Sequence, residues 1–356
     1  MKALRLIRLR ESMREKEVDG FLFWYGPNRR YITGFTGSAG YVLITPADQL
    51  LFTDFRYVSQ AGDQALGFTI VRHAIQAIET IAEYVHQLGI GRLGFESQHL
   101  SVAQFETMKE TIGELEYVPM TDIIEKLRNV KDEEEIGYIE RGAGFAEAAF
   151  AEVLSFIRPG VTERRIAAEL EYRMRLLGAD CGAFSFIVAS GERSALPHGS
   201  ASDKEIGQDE FVTLDFGAKM NGYLSDITRT VFVGTPSQRH CELYETVLEA
   251  NRAALNGLKP GMNGREGDAL ARDVITARGF GEYFGHGLGH GIGLEIHEQL
   301  RLSHNSDSVL EPGNVLTVEP GIYIPGFGGV RIEDDILVMD EGIRVLNSSS
   351  KQLLVL

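Results

Sequence analysis

The sequence predicts an α+β protein in two parts: a smaller α/β domain over residues 1–125, then a larger domain over residues 126–356 in which a unit of two helices and a β-hairpin occurs twice. Three observations carry this expectation. At 356 residues, 44% of them hydrophobic, the chain is about twice the length of a typical domain and can bury more than one core. Short apolar runs alternate with helical patterns in the first third. Beyond it, a Pro-Gly pair followed by a helical run and a closing glycine recurs about a hundred residues later.

In order along the chain, MKALRLIRLRESMREKEVDG alternates apolar and charged residues without an unbroken apolar stretch, so it reads as an amphipathic first helix and not as an export signal. The runs FLFWY (21–25), YVLIT (41–45), LLFT (50–53), FTIV (68–71) and RLGFE (92–96) predict strands, and AIETIAEYVHQL predicts a helix between them. A charged passage follows, EKLRNVKDEEEIGYIERG, in which Lys131 to Glu135 caps and opens a long helix, placing the domain boundary near residue 125.

In the second domain, FIRPGVTERRIAAELEYRMRLLG and GLKPGMNGREGDALARDVITARG each set a basic residue, Pro and Gly before a helix closed by Gly. Pro159 to Gly178 and Pro260 to Gly279 both span 19 positions, the length of a capped four-turn helix with a left-handed glycine at its end. Each helix leads through a loop to a hairpin, FVTLDFGAKMNGYLSDITRTVFV in the first copy and NVLTVEPGIYIPGFGGVRIEDDILV in the second. Two units related by an approximate twofold axis are expected, their sheets joined and their helices outside. The competing reading is two chance occurrences of a common Pro-Gly turn.

Composition excludes several functions. With 35 basic and 51 acidic residues, the net charge of −16 repels phosphate backbones and anionic lipid surfaces, so nucleic acid and membrane are not expected partners. No stretch approaches the roughly 18 apolar residues of a membrane span. Cys181 and Cys241 have no CxxC spacing, which argues against a thiolate zinc site or a disulfide framework and for a reducing cytoplasm.

The hairpins carry four carboxylates. Asp215 and Asp226 are symmetric about a point between Met220 and Asn221, and Glu319 and Glu333 about Gly326, so each pair is expected to face across its hairpin. Their flanks, VTLDFG, VLTVEPG and GVRIEDD, are those of core strands, where unpaired charge is costly. Two divalent cations would compensate it; ion pairs with arginines such as Arg229 and Arg331, or solvated hairpin faces, are the alternative. A neutral nitrogen ligand would come from FGHGLGHGIGLEIHE, with His286, His290 and His297, whose glycines let the chain pass close to a site. It is neither HExxH nor GxGxxG. His198, in GERSALPHGSAS, holds the corresponding position in the first copy, so His198 and His297 are expected to flank one site from opposite sides.

The second domain, over about residues 130–356, resembles the pita-bread metallopeptidases, the family of methionine aminopeptidase, aminopeptidase P and prolidase. TLDFGAKMNGYLSDITRT, GHGIGLEIHE, TVEPGIYI and GGVRIEDD match in order and spacing. The first domain, with FTGSAGYVLITPADQLLFTDFRYVSQA, resembles the lid domain of aminopeptidase P, prolidase and creatinase. The resemblance implies a pita-bread catalytic domain behind a creatinase-like domain. It implies Asp215, Asp226, His290, Glu319 and Glu333 as ligands of two divalent cations, with Asp226 and Glu333 bridging, Mn²⁺ first and Co²⁺ or Zn²⁺ as alternatives. The expected activity is Xaa-Pro dipeptidase (prolidase) on a proline-containing peptide, with aminopeptidase P activity on longer peptides as the alternative; methionine aminopeptidase and a non-catalytic binding module rank behind. The expected chemistry is attack by a metal-bridging hydroxide on the scissile carbonyl, Glu319 shuttling the proton, His198 and His297 stabilising the oxyanion, and Arg331 and Tyr323 orienting the shell. His198, His286 and His297 would contact the peptide. A homodimer is also implied.

Overall fold

Local sequence signals set the helix ends in this computed structural model, which describes residues 2–356. The chain divides into a first unit that ends at Arg128 and a second from Asn129 to Leu356. The first unit runs α1 (Lys2–Glu15), β1 (Gly20–Phe23), α2 (Gly26–Thr33), β2 (Tyr41–Ile44), β3 (Gln49–Thr53), α3 (Val58–Gln64), β4 (Thr69–Arg72), α4 (Ala77–Gln87), β5 (Arg92–Glu96), α5 (Val102–Ile112) and β6 (Glu116–Met120). Its strands form one mixed sheet in the order β4-β3-β2-β1-β5-β6. The amphipathic pattern of α1 buries Leu6, Leu9 and Met13 on one face. β6 went unrecognised in the sequence because EYVPM carries a proline and half-polar positions, features of an edge strand, and the sheet edge is where it lies.

The short helix α6 (Ile123–Asn129) ends on the first residue of the second unit, and α7 (Glu133–Val153) follows. Asp132 caps α7 and exchanges hydrogen bonds with Glu135, the capping role expected of that charged run. α8 (Glu163–Leu177) starts at Thr162 and ends at Gly178, whose φ of 116° is left-handed. Then come β7 (Cys181–Gly182), β8 (Ile187–Ser190), β9 (Glu210–Phe216), β10 (Ala218–Met220), β11 (Tyr223–Leu224) and β12 (Ile227–Val233). The second copy supplies α9 (Gln238–Gly257), α10 (Gly264–Ala277), β13 (Gly289–Gly291), β14 (Glu298–Leu302), β15 (Val315–Val318), β16 (Gly321–Ile324), β17 (Gly328–Arg331), β18 (Asp334–Val338) and β19 (Ile343–Val345), and β20 (Leu354–Val355) closes the chain.

The duplicated unit is real. α7 and α8 pack with Val212, Leu214, Phe216, Ile227 and Val231 of the first hairpin into one core. α9 and α10 pack with Leu316, Val318, Ile336 and Val338 of the second hairpin into another. The main sheets, ordered β20-β12-β9-β8 and β14-β13-β15-β18-β19, share no strand ladder. They meet instead through the Glu333 amide on the Thr228 carbonyl at 3.1 Å and the Thr230 hydroxyl on the Arg331 carbonyl at 3.0 Å. The four candidate carboxylates lie at or beside this seam.

Candidate active site

The first hairpin turns at Asn221 and Gly222, with φ of 45° and 78°, the paired left-handed residues of a type I′ turn. Its centre is therefore one residue beyond the point of symmetry between Met220 and Asn221. The register follows the turn: Asp215 of β9 lies opposite Thr228, not Asp226. Direct facing of Asp215 and Asp226 is thus corrected to a diagonal relation. In the second hairpin the expected register holds. Val318 pairs with Asp334 and Gly321 with Arg331, which puts Glu319 opposite Glu333 between them.

His290 sits on β13, which can reach β15 only because Gly289 has no side chain: a Cβ there would stand 1.9 Å from the Thr317 carbonyl oxygen. The Thr317 hydroxyl accepts from the His290 amide at 3.1 Å and donates to Glu319 Oε1 at 3.1 Å. His290 Nδ1 lies 3.1 Å from the Gly291 carbonyl, so Nδ1 carries the proton and Nε2 presents its lone pair. Nε2 is 3.5 Å from Glu319 Oε1 and 4.0 Å from Asp226 Oδ2. One ligand atom each from Asp226, His290 and Glu333 lie within 4.8 Å of one another, an arrangement that could hold a metal ion.

Charge makes the same point. Arg331 donates to Asp215 Oδ2 at 2.6 Å, whereas Arg229 pairs with Asp334 outside the candidate set. Among the described residues Arg331 is thus the one arginine ion-paired with a candidate carboxylate, so the ion-pair alternative accounts for one of the four. Burial, with neighbouring carboxylates adding to it, pushes Asp226 and Glu333 well above the usual carboxylate range and Glu319 up to about 7. Burial also pulls His290 down to about 3, which keeps the imidazole neutral. Among the described residues, the buried Oδ1 atoms of Asp215 and Asp226 have no hydrogen-bond partner. Orphaned carboxyl oxygens beside a neutral imidazole are the donor set that a divalent cation takes.

All five residues border one cavity of about 540 Å³, together with His198, His286, His297, Tyr323 and Arg331. His297 meets His290 edge-on at 4.2 Å between ring centres. His198 and His297 are both exposed toward solvent, from the loops of the two copies. The Tyr323 hydroxyl lies 2.9 Å from His286 Nε2 and accepts from Arg331 at 2.8 Å. With Nδ1 on the Gly287 carbonyl at 2.8 Å, both ring nitrogens of His286 are engaged within the protein.

Several contributors were not recognised in the sequence. The Thr228 hydroxyl donates to Glu333 Oε2 at 2.5 Å, and Asp335 Oδ2 accepts from the Asp226 amide at 2.9 Å. Thr228, Thr317 and Asp335 each stand two positions from a candidate ligand just outside the strand, and that even spacing is the available signal. Arg301, Phe184, Ile187 and Ile296 also line the cavity and had no motif to mark them.

The sequence profile of metallopeptidase family M24 matches residues 137–340, and that of the creatinase/prolidase N-terminal domain matches residues 5–130. The Bacillus subtilis protein named "Uncharacterized peptidase YqhT" is 48% identical over 353 residues, 99% of this chain and 100% of its own. A solved Xaa-Pro dipeptidase from Bacillus anthracis superposes with a TM-score of 0.98 at 52% identity, each chain covered in full. An X-Pro aminopeptidase from Thermotoga maritima gives 0.92 at 40% identity, over 97% of this chain and 100% of that one. The motif resemblance and the expected fold class are borne out.

Proposed function

The chain belongs to metallopeptidase family M24, and on that premise we propose that it hydrolyses the Xaa-Pro bond of dipeptides with two divalent cations held by Asp215, Asp226, His290, Glu319 and Glu333. The observation that carries this reading is the convergence of Asp226, Glu319 and Glu333 on the neutral imidazole of His290, with Asp215, held by Arg331, bordering the same cavity. The likeness to the dipeptidase from Bacillus anthracis supplies the substrate class.

Two divalent cations, when bound, supply Lewis acidity and a water that ionises near neutral pH. The chain's own groups do the rest. Glu319, with Oε1 held by the Thr317 hydroxyl, takes a proton from the attacking water and returns it to the departing prolyl nitrogen. His198 and His297 donate to the oxyanion, and partial desolvation by the cavity wall first, then the Arg301 charge, holds His297 below the usual imidazole range and so neutral. Arg331, braced by Tyr323 and through it by His286, fixes Asp215. Phe184, Ile187 and Ile296 give an apolar wall for the prolyl ring, which has no N–H to be recognised by. Arg301 borders the same cavity and offers a cation to the carboxylate that ends a dipeptide.

Aminopeptidase action on longer peptides is the second reading, favoured by the likeness to the Thermotoga protein. Protein stripped with chelator and resupplied with Mn²⁺, Co²⁺ or Zn²⁺ is expected to cleave Ala-Pro faster than Ala-Pro-Ala, with Mn²⁺ the best activator. Faster tripeptide cleavage would replace the dipeptidase reading, and no metal-dependent cleavage of either would end both. A homodimer in a reducing cytoplasm completes the proposal, supported on the second point by two unpaired cysteines. Light scattering of the purified chain is expected to give twice the 39.4 kDa of the monomer; a monomeric mass would contradict it.

A further inference from the structure

The twofold repeat singles out one residue outside the ligand set. α8 begins Thr162-Glu163-Arg164 and α10 begins Asn263-Gly264-Arg265, and both starts are docked alike. The amides of Glu163 and Arg164 donate to the carbonyls of Lys204 and Ser202, those of Gly264 and Arg265 to the carbonyls of Ser308 and Ser306. Arg164 pairs with Asp203 at 2.7 Å and Arg265 with Asp307 at 2.8 Å. The repeated architecture therefore needs no carboxylate at the position of Glu163, because Gly264 fills it in the second copy. The helix cap needs none either, since the Thr162 hydroxyl accepts from the Arg165 amide.

Yet Glu163 has no exposed surface, and its carboxylate is filled with donors. Oε1 accepts from the Ser190 amide at 2.8 Å and hydroxyl at 3.0 Å. Oε2 accepts from the Ser202 amide at 3.1 Å and hydroxyl at 2.6 Å, and from the Arg193 guanidinium. Arg193 also donates to the Ser200 carbonyl at 2.9 Å. All these donors belong to the segment 190–202, which carries His198. The His198 imidazole is exposed and makes no hydrogen bond among the described residues, so the backbone it hangs from sets its place.

We propose that Glu163 is a positioning residue, whose carboxylate ties both ends of the segment 190–202 and so holds His198 at the reacting carbonyl. The proposal rests on the Xaa-Pro reading, in which His198 is an oxyanion donor. The test is a double-mutant cycle on Mn²⁺-loaded enzyme with Ala-Pro, combined with hydrogen exchange of the segment. His198→Ala is expected to lower kcat by about 10²-fold, and Glu163→Gln by about tenfold with KM within about twofold. In the His198→Ala background, Glu163→Gln is expected to add less than about twofold, because the two act as one unit. An equal loss with and without His198, or an unchanged kcat, overturns the proposal. Should Glu163→Gln fail to fold, Ser202→Ala, which removes one donor to the carboxylate, carries the same cycle with a smaller loss. Exchange is expected to rise in residues 190–202 and not in residues 291–298; an unchanged exchange pattern also overturns it. Wild-type protein inactive on Ala-Pro would sink the substrate reading alone, and the exchange comparison, which needs no substrate, still decides whether Glu163 anchors the segment.

Discussion

Glu319→Gln is expected to lower kcat for Ala-Pro by about 10²–10⁴-fold, the usual worth of a positioned acid-base group, or about 2.7–5.4 kcal/mol of barrier. A proton shuttle must reach the cavity, and the Glu319 side chain is 17% exposed, against 13% for Asp215 and 7% for Asp226. Glutamine keeps the shape and an amide oxygen that can still meet a cation and the Thr317 hydroxyl. It cannot accept a proton at neutral pH. The loss should therefore appear in kcat with KM little changed and two cations per chain retained by metal analysis. A kcat within about tenfold of wild type at full metal content would remove Glu319 from the proton path.

The second large effect is on stability. In the cation-free protein Glu319 is pushed up to about 7, and Asp226 and Glu333 lie well above the usual range, chiefly through burial. A carboxyl whose pKa is higher in the folded than in the unfolded chain stabilises the fold below its unfolded value, and that contribution is lost as pH rises through the folded one. For Glu319 the window runs from about 4.5 to about 7. Chelated protein is thus expected to lose melting temperature between about pH 5 and pH 8. Bound cations hold the carboxylates ionised, displace protons and cancel that loss. At a hundred times its Kd, each cation adds about 2.7 kcal/mol, so two sites raise Tm by on the order of 10 °C. Scanning calorimetry with Mn²⁺ and with chelator at several pH values should show the gap widening with pH. A gap that is constant or shrinks on going alkaline would contradict the buried-carboxylate account.

The two hairpins show how far local sequence reaches. Glu319 and Glu333 face each other as their symmetry about Gly326 predicts, since Ile324 and Gly328 close that loop evenly around it. Asp215 and Asp226 do not, because Asn-Gly takes both central positions of a type I′ turn and moves the axis by one residue. The parity of the spacing, which keeps all these side chains on workable faces, survives the shift. The hydroxyls of Thr228 and Thr317 escaped notice for a different reason: a threonine in a strand is ordinary, and only its partner makes it part of a site. Arg301 reaches the cavity from β14, and no motif announces it.

By itself the sequence determined the capping run that opens α7, the Pro-Gly starts and glycine ends of the two repeated helices, the paired hairpins, the twofold repeat and the residue types that could meet a cation. Those features depend on contacts within a few residues or on a repeat visible in the chain. Only the tertiary structure decided how the charge is balanced: that Arg331 neutralises Asp215, that Arg229 turns to Asp334, and that Asp226, His290 and Glu333 converge without an ion pair to any lysine or arginine among the described residues. Neutralisation depends on distance through space. The groups concerned lie on strands as much as about a hundred residues apart, and only packing the two copies against each other brings them within reach.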